Sequence, residues 1–398
     1  MHIGLFTNNY RPLANGLATS VETFARAFRR AGHRVTVVAP RYGALPGGEP
    51  DILRVPGFRA PTHHAYILPL SRWPGVASAV ARLDLDIFHA QHPFLLGAAA
   101  GRWARHLGRP LVFTYHTRYE CYAHYVPGPS RLVVRLAVGR ALAFANRSDL
   151  VIAPTTAVAR ELRARGLHAP LEVIPTGVTV PPIMAEADRQ ASRRTLGLCR
   201  GDPLCLSVGR LAREKNQAFL LSAFARILTQ LPTARLVLVG EGDDRLRLER
   251  MARDLGLEPK MHFTGAVPHG VVGTYYQAAD LFLFPSTSET QGLVILEALA
   301  AGLPVVAVTS DAAAELLRNG EGGTMVPEDP AAFADQVVTL WGQPERRQAM
   351  GRGGRHVAAG YAPDALAARM LELYQELIRV RGTLPLRGQA FRPKDAKV

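Results

Sequence analysis

Short apolar runs rich in β-branched and aromatic residues alternate with helix-period stretches along the whole chain. In the first half these runs are Ile3–Thr7, Arg34–Ala39, Ile52–Val55, Ile87–Ala90, Leu111–Tyr115, Leu150–Ala153 and Glu172–Ile174. In the second half they are Leu204–Val208, Arg235–Val239, His262–Gly265, Leu281–Phe284 and Pro304–Val308. Near-continuous apolar runs, spaced widely enough for a helix between them, mark parallel strands covered on both faces. The rhythm therefore predicts an α/β protein built from βα units. It is interrupted once, where Pro175-Thr176-Gly177 and Val180-Pro181-Pro182 lead into a polar stretch through Arg194. Two Rossmann-like domains, 1–180 and 181–362, are expected. Pro363 to Arg379 reads as an amphipathic helix with Leu366, Met370, Leu373, Tyr374 and Leu377 on one face. The polar, basic stretch 383–398 is expected to be a disordered tail.

A length of 398 residues supports the two-domain division, since single cores seldom grow so large. No run of 18 or more apolar residues suggests a membrane span, and Met1–Phe6 reads as a first strand rather than a signal peptide. The chain is expected to stay in the cytoplasm. Cys121, Cys199 and Cys205 are scattered without a C-x-x-C pair, which points to buried thiols and away from disulfides or zinc. The net charge of +14 is unevenly placed. Residues 1–180 hold 21 arginines and no lysine against nine acids, an excess of +12, whereas the remainder carries only +2. A basic first half implies an anionic partner: nucleic acid, an acidic substrate or a membrane surface.

Candidate chemistry lies at strand ends. Ser286 to Gly302, S-T-S-E-T-Q-G-L-V-I-L-E-A-L-A-A-G, follows the run Leu281–Phe284 and enters a helix, with Glu289 and Glu297 eight residues apart. The N–H groups of Gln291, Gly292 and Leu293 at a helix start suit a diphosphate. The two carboxylates can accept hydrogen bonds from sugar hydroxyls. Upstream, S-V-G-R-L-A-R-E-K-N places Arg210 and Lys215 after another strand end, where two cations can converge on a diphosphate and hold the charge that builds as it leaves. Together these segments resemble the E-x7-E and G-R-x4-K signatures of the retaining glycosyltransferases of family 4, which have the GT-B fold. That resemblance implies two Rossmann-like domains facing across a cleft, with the helix at 363–380 crossing back onto the first. It implies a nucleotide-sugar donor, UDP-glucose foremost, with no metal or other cofactor. By the same resemblance Arg210 and Lys215 clamp the leaving group, Glu289 meets the transferred sugar and Glu297 the ribose. Gly240 and Glu241, and the turn containing Val267, would shape the nucleobase pocket. Gly16, preceded by Asn15 where the family usually has a second glycine, would approach the phosphate, with Asn15 tolerating a left-handed backbone.

The run Val112–Tyr115 leads into H-T-R-Y-E-C-Y-A-H-Y-V. This stretch and S-E-T-Q-G-L are similar to the bacterial 1,2-diacylglycerol 3-glucosyltransferases of the family, which implies a lipid acceptor and an anionic membrane surface as partners. His116 is expected at the carboxyl end of its strand, where doubly wound folds bind ligands. Tyr119 and Glu120, with Tyr122, Tyr125 and His124, are acceptor-side candidates, as are His89, Gln91 and His92 after the run at Ile87. Ser130 to Arg147 sets Arg131, Arg135, Arg140 and Arg147 among leucines and valines, a pattern that suits a helix lying in a bilayer interface. Asp84-Leu85-Asp86 has the D-x-D spacing of a metal site in another glycosyltransferase fold, but it precedes a strand and reads as a turn. The expected protein is a hexosyltransferase, peripheral on the inner face of the cell membrane. The rival readings are another donor such as GDP-mannose or UDP-galactose, a soluble acceptor, a sugar-nucleotide 2-epimerase, or a nucleic-acid binder, the last lacking any familiar reader motif.

Overall fold

The computed structural model describes residues 1–383 except 14, 44–50, 61–65, 121–129 and 197–200. Cys121, Tyr122, His124, Tyr125, Cys199 and 384–398 therefore lie outside the described residues. The chain divides into two compact units, one formed by Met1–Gly177 with the C-terminal helix from Pro363, the other by Val178–Ala362. Each is a Rossmann-like α/β unit with a parallel sheet.

The first unit contains β1 (His2–Phe6), β2 (Arg34–Pro40), β3 (Ile52–Val55), β4 (Gly57–Arg59), β5 (Ile67–Pro69), β6 (Ile87–Ala90), β7 (Leu111–Thr114), β8 (Leu150–Ala153) and β9 (Leu171–Val173). Seven of them pair in the order β3-β2-β1-β6-β7-β8-β9, all parallel. The hairpin β4–β5 was not expected from the sequence, because three-residue strands carry too little periodicity. His2–Phe6 are buried throughout because helices cover both faces of the sheet. On one face Phe6, Phe88 and Phe113 pack on the helix Leu96–His106. On the other, Ile3, Leu5, Ile87, Val112 and Ile152 meet the helices Gly16–Arg30 and Pro363–Thr383.

The C-terminal helix buries Met370 and Tyr374 as its period predicts, and also Ala367 and Leu371. Burying a side chain of Leu or Met size contributes about 1.5–3 kcal/mol, enough to fix a helix far removed in sequence. Ion pairs Arg30–Asp364 (2.6 Å) and Arg381–Asp149 (2.6 Å) pin its two ends. Asp84-Leu85-Asp86 links the turn at Arg82 and Leu83 to β6 at the amino edge of the sheet, with Leu85 in the core. Asp86 accepts from the His2 N–H (2.8 Å), and Arg109 pairs with Asp84 (3.0 Å).

The second unit contains β10 (Leu204–Val208), β11 (Arg235–Val239), β12 (Met261–Gly265), β13 (Leu281–Phe284), β14 (Val305–Val308) and β15 (Gly323–Val326), in the order β12-β11-β10-β13-β14-β15. The edge strand β15 is missing from the sequence reading. Gly323–Val326 takes its order from pairing with β14. In both sheets the strand order reverses beside the first strand of the unit, between β1 and β6 and between β10 and β13. The crevice at such a reversal, on the carboxyl side, is where doubly wound sheets bind ligands.

Candidate active site

At the carboxyl edge of the second sheet, backbone packing comes first. Gly209 donates its N–H to Val239 O (2.9 Å), and Leu211 donates to Glu241 O (3.0 Å), locking the turns after β10 and β11 together. Gly240 has φ +143, and a β-carbon there would lie 1.9 Å from Gly209 O, so no side chain fits. This glycine serves close approach between turns. Glu241 points its carboxylate at Arg245 (2.6 Å), and Val267 packs partly buried on the core beneath β13.

The loop after β10 then winds through a short turn, Arg213–Lys215, and reverses at Asn216 (φ +60) into the helix Gln217–Gln230. It is laced to the loop after β13. Ser288 Oγ donates to Glu214 O (2.8 Å), and Asn216 Nδ2 donates to Pro285 O (3.3 Å) and to Glu328 Oε1 (2.7 Å). Lys215 Nζ donates to Glu289 Oε1 at 2.5 Å. Arg210 pairs with Glu214, whose side chain is only 4% exposed. The sequence brings two cations toward a leaving group; the structure gives each a carboxylate, and so joins Lys215 directly to Glu289.

Gly292 takes φ +75, a left-handed position that L side chains rarely adopt, and starts the helix Leu293–Ala300. The first N–H groups of this helix have no carbonyl within it to bond, and its dipole is positive at that end. Gln291 is buried beside the turn. Glu297 lies on the same helix, and its Oε2 accepts from the buried Tyr276 hydroxyl (2.8 Å). Burial, with the Glu297 carboxylate, pushes the Tyr276 pKa far up, so the phenol stays a donor. Tyr276 gives no signal in the sequence. Glu214 and Ser288 lie inside the two motifs but point to no role until the loops are seen together.

The first sheet's carboxyl edge is built differently. Gly16 is the first residue of its helix, exposed, and Asn15 caps that helix by accepting from Ala18 N–H (2.9 Å). Asn15 has φ −154, so it is extended rather than left-handed: its side chain is used for capping, and the backbone has no need of the rarer conformation. Asn8 ties the switch point, its N–H donating to His92 Nδ1 (3.2 Å) and its Oδ1 accepting from Leu96 N–H (3.1 Å). His116 Nε2 lies 2.7 Å from Gln91 Oε1, and because an amide oxygen only accepts, Nε2 carries the proton. Burial depresses the pKa of His92 to about 4 and that of His116 to about 3, the neighbouring histidines adding to the latter, so both rings are neutral.

Tyr119 stands edge-on to Phe94 (5.3 Å) and Tyr115 (5.9 Å), within a packed aromatic group. Glu120 is gripped by Arg165 (2.7 and 3.3 Å), which also pairs with Glu161 (2.5 Å), while Glu161 pairs with Arg118 (3.2 Å). Burial acts to raise the Glu120 pKa, but the hydrogen bond from Arg165 and its companions hold it below the usual carboxylate range. His89, expected on the acceptor side, is instead buried inside the unit, with both ring nitrogens hydrogen-bonded.

Comparison with known proteins agrees with this geometry. Residues 14–180 match a family model described as Glycosyltransferase Family 4, and residues 188–357 one described as Glycosyl transferases group 1. The chain is 34% identical over 318 residues to the alpha-monoglucosyldiacylglycerol synthase of Streptococcus pneumoniae, covering 77% of this chain and 71% of that one. It is 33% identical over 375 residues to the GDP-mannose-dependent alpha-(1-6)-phosphatidylinositol monomannoside mannosyltransferase of Mycolicibacterium smegmatis, covering 89% and 93%. Among solved structures, sucrose-phosphate synthase from Thermosynechococcus elongatus superposes with a TM-score of 0.81 at 24% identity, over 95% of this chain and 99% of that one.

Proposed function

Because the chain belongs to glycosyltransferase family 4 and is a hexosyltransferase of GT-B fold, we propose that it moves glucose from UDP-glucose to the sn-3 hydroxyl of diacylglycerol, with retention, at the cytoplasmic face of a membrane. The observation that carries this reading is the second sheet's edge, where Lys215 and Glu289 meet beside the start of the helix Leu293–Ala300. On donor binding Lys215 exchanges Glu289 for the diphosphate, which releases the carboxylate to the sugar hydroxyls. Arg210, Lys215 and the helix start supply the countercharge, so the reading calls for no metal. The acceptor oxygen then bonds to the anomeric carbon from the face that the phosphate leaves. The bond from that carbon to the phosphate oxygen breaks, and the acceptor's proton passes to the departing phosphate. The α configuration is kept without a protein nucleophile.

The lipid acceptor is supported by the streptococcal relative and by the helix Ser130–Ala145. Its outward face holds Leu132 (58% exposed) and Leu136 (51%) with Arg135 and Arg140, while Ala141 and Ala145 face the core. Leucines exposed beside arginines suit an anionic bilayer surface. No helix among the described residues is long and apolar enough to cross a membrane, so attachment is peripheral in this reading. The mycobacterial relative favours a second reading, mannose from GDP-mannose to an inositol lipid.

The test is transfer of labelled sugar from UDP-glucose or GDP-mannose into vesicles holding diacylglycerol or phosphatidylinositol, with and without added anionic lipid. Glucosyl-diacylglycerol formed faster on anionic vesicles is the expected product. Mannosylated inositol lipid alone would replace donor and acceptor together. Equal rates on neutral and anionic vesicles would remove the role given to the basic helix.

A further inference from the structure

His89 is the least expected group in the first unit: a histidine at 3% exposure in mid-sheet, far from solvent. Its Nδ1 lies 2.6 Å from the Tyr374 hydroxyl, 285 residues along the chain on the C-terminal helix, and its Nε2 lies 2.7 Å from Thr114 Oγ1 on β7. Tyr374 is itself fully buried, edge-on to the histidine ring at 5.9 Å. Side chains two residues apart on extended backbone share a face. Gln91 follows His89 by two, and His116 follows Thr114 by two. The Gln91 N–H bonds to Phe6 O (2.9 Å) and the Tyr115 N–H to Ile152 O (2.9 Å), so the backbone pairing runs one residue past the ends of β6 and β7. Two cross-strand rungs follow one another along β6 and β7: His89–Thr114 at 2.7 Å, where Tyr374 of the C-terminal helix meets His89, then Gln91–His116 at 2.7 Å.

We infer that Tyr374 and His89 are positioning residues for His116: together with Thr114 they form a buried polar column that sets the spacing of β6 and β7, and hence the orientation and tautomer of the His116 ring at the acceptor edge. This rests on the proposed glycosyl transfer and on the acceptor-side place that the sequence leads one to expect for His116. Three features separate the column from ordinary packing. A histidine is a poor choice for a dry position unless both its nitrogens are satisfied, and here both are. The column is anchored on one side by a residue from the far end of the chain. And the second rung uses the same strand pair as the first, so a shift of β6 against β7 opens both together. Misplacement of a reacting group by about 1 Å is worth up to about a hundredfold in rate, so a loosened first rung is felt at the second.

The experiment compares Tyr374→Phe, Thr114→Val and Thr114→Ser in the full chain, each alone and with His116→Ala. Tyr374→Phe and Thr114→Val are expected to lower kcat for transfer about tenfold with the donor KM unchanged, since the donor loops belong to the other unit. Thr114→Ser, which keeps the hydroxyl, is expected to restore most of the rate. In the His116→Ala background neither change should lower kcat further. The activity-free readout is the nitrogen-15 spectrum of the His116 ring: a single Nε2-protonated tautomer in the wild type, a mixture in Tyr374→Phe. Losses that multiply in the double variants, or a His116 ring unchanged by Tyr374→Phe, would overturn the inference. Should the wild type transfer sugar to none of the tested lipids, the proposed acceptor fails, and the His116 spectrum still decides whether the column acts on that ring.

Discussion

The strand reversals of the two sheets share a topology and differ in the charge of the side chains beside them. At the β10/β13 reversal the side chains are ionic and partly open: Lys215 with Glu289, Arg210 with Glu214. At the β1/β6 reversal they are neutral and hydrogen-bonded: Asn8 with His92, Gln91 with His116, both rings stripped of charge by burial. A diphosphate brings negative charge and needs cations that can be released to it, which a carboxylate placeholder provides. In the proposed reaction the lipid hydroxyl brings no charge, and a neutral, oriented imidazole is what such a group would be placed against. The same strand reversal thus carries two different sets of side chains, and the difference resides in those side chains rather than in the fold.

The largest expected effect strikes the ionic edge. Lys215→Ala and Glu289→Gln should each lower kcat about a hundredfold or more, as loss of a charge-stabilising contact does, while thermal unfolding shifts little because both groups are partly exposed. Wild-type turnover in either variant, measured with saturating donor, would end the assignment of this edge to the leaving group. Next comes Tyr276→Phe, which removes the hydroxyl donated to Glu297. Loss of one such contact costs about 1–2 kcal/mol, so UDP should bind roughly tenfold more weakly in a titration while kcat at saturation holds. An unchanged affinity would remove Glu297 from the nucleotide site.

The remaining prediction concerns the neutral edge and is read in stability rather than in rate or affinity. His92 and His116 have folded pKa values near 4 and 3, against 6.5 when unfolded. Below pH 6.5 the unfolded chain takes up protons that the folded chain refuses, so stability is full above that value and falls as pH drops toward 4. Thermal midpoints measured from pH 7.5 to pH 4.5 should decline, and the decline should flatten in His92→Gln. A slope unaffected by that substitution would mean that the ring is not held neutral by its surroundings.

Much of this was legible from one sequence. Strand runs such as Leu204–Val208 and Leu281–Phe284 are so uniformly apolar that burial on both faces follows from composition alone, and the parallel sheets follow from that. Glu289, Gly292 and Glu297 announced themselves by spacing at a strand-to-helix junction. Less was legible where a residue's role depends on a partner distant in sequence. His89 and His116 look alike as histidines after apolar runs, yet one lies inside the unit against Tyr374 and the other at the edge against Gln91. Glu120 looked like an acceptor-side acid, but it is gripped by Arg165. The strand β15 and the hairpin β4–β5 went unread because short strands gain their order from pairing.

The sequence by itself determined the two-unit α/β architecture, the glycine positions of the turns and the chemical inventory of the second sheet's edge. All of these follow from local periodicity and from constraints within a few residues. Only the tertiary structure decided which cation faces which carboxylate, and which histidine is a building member and which is poised at an edge. Those outcomes depend on which groups lose water together. That is a property of contacts across tens or hundreds of residues, and no short stretch of the chain encodes it.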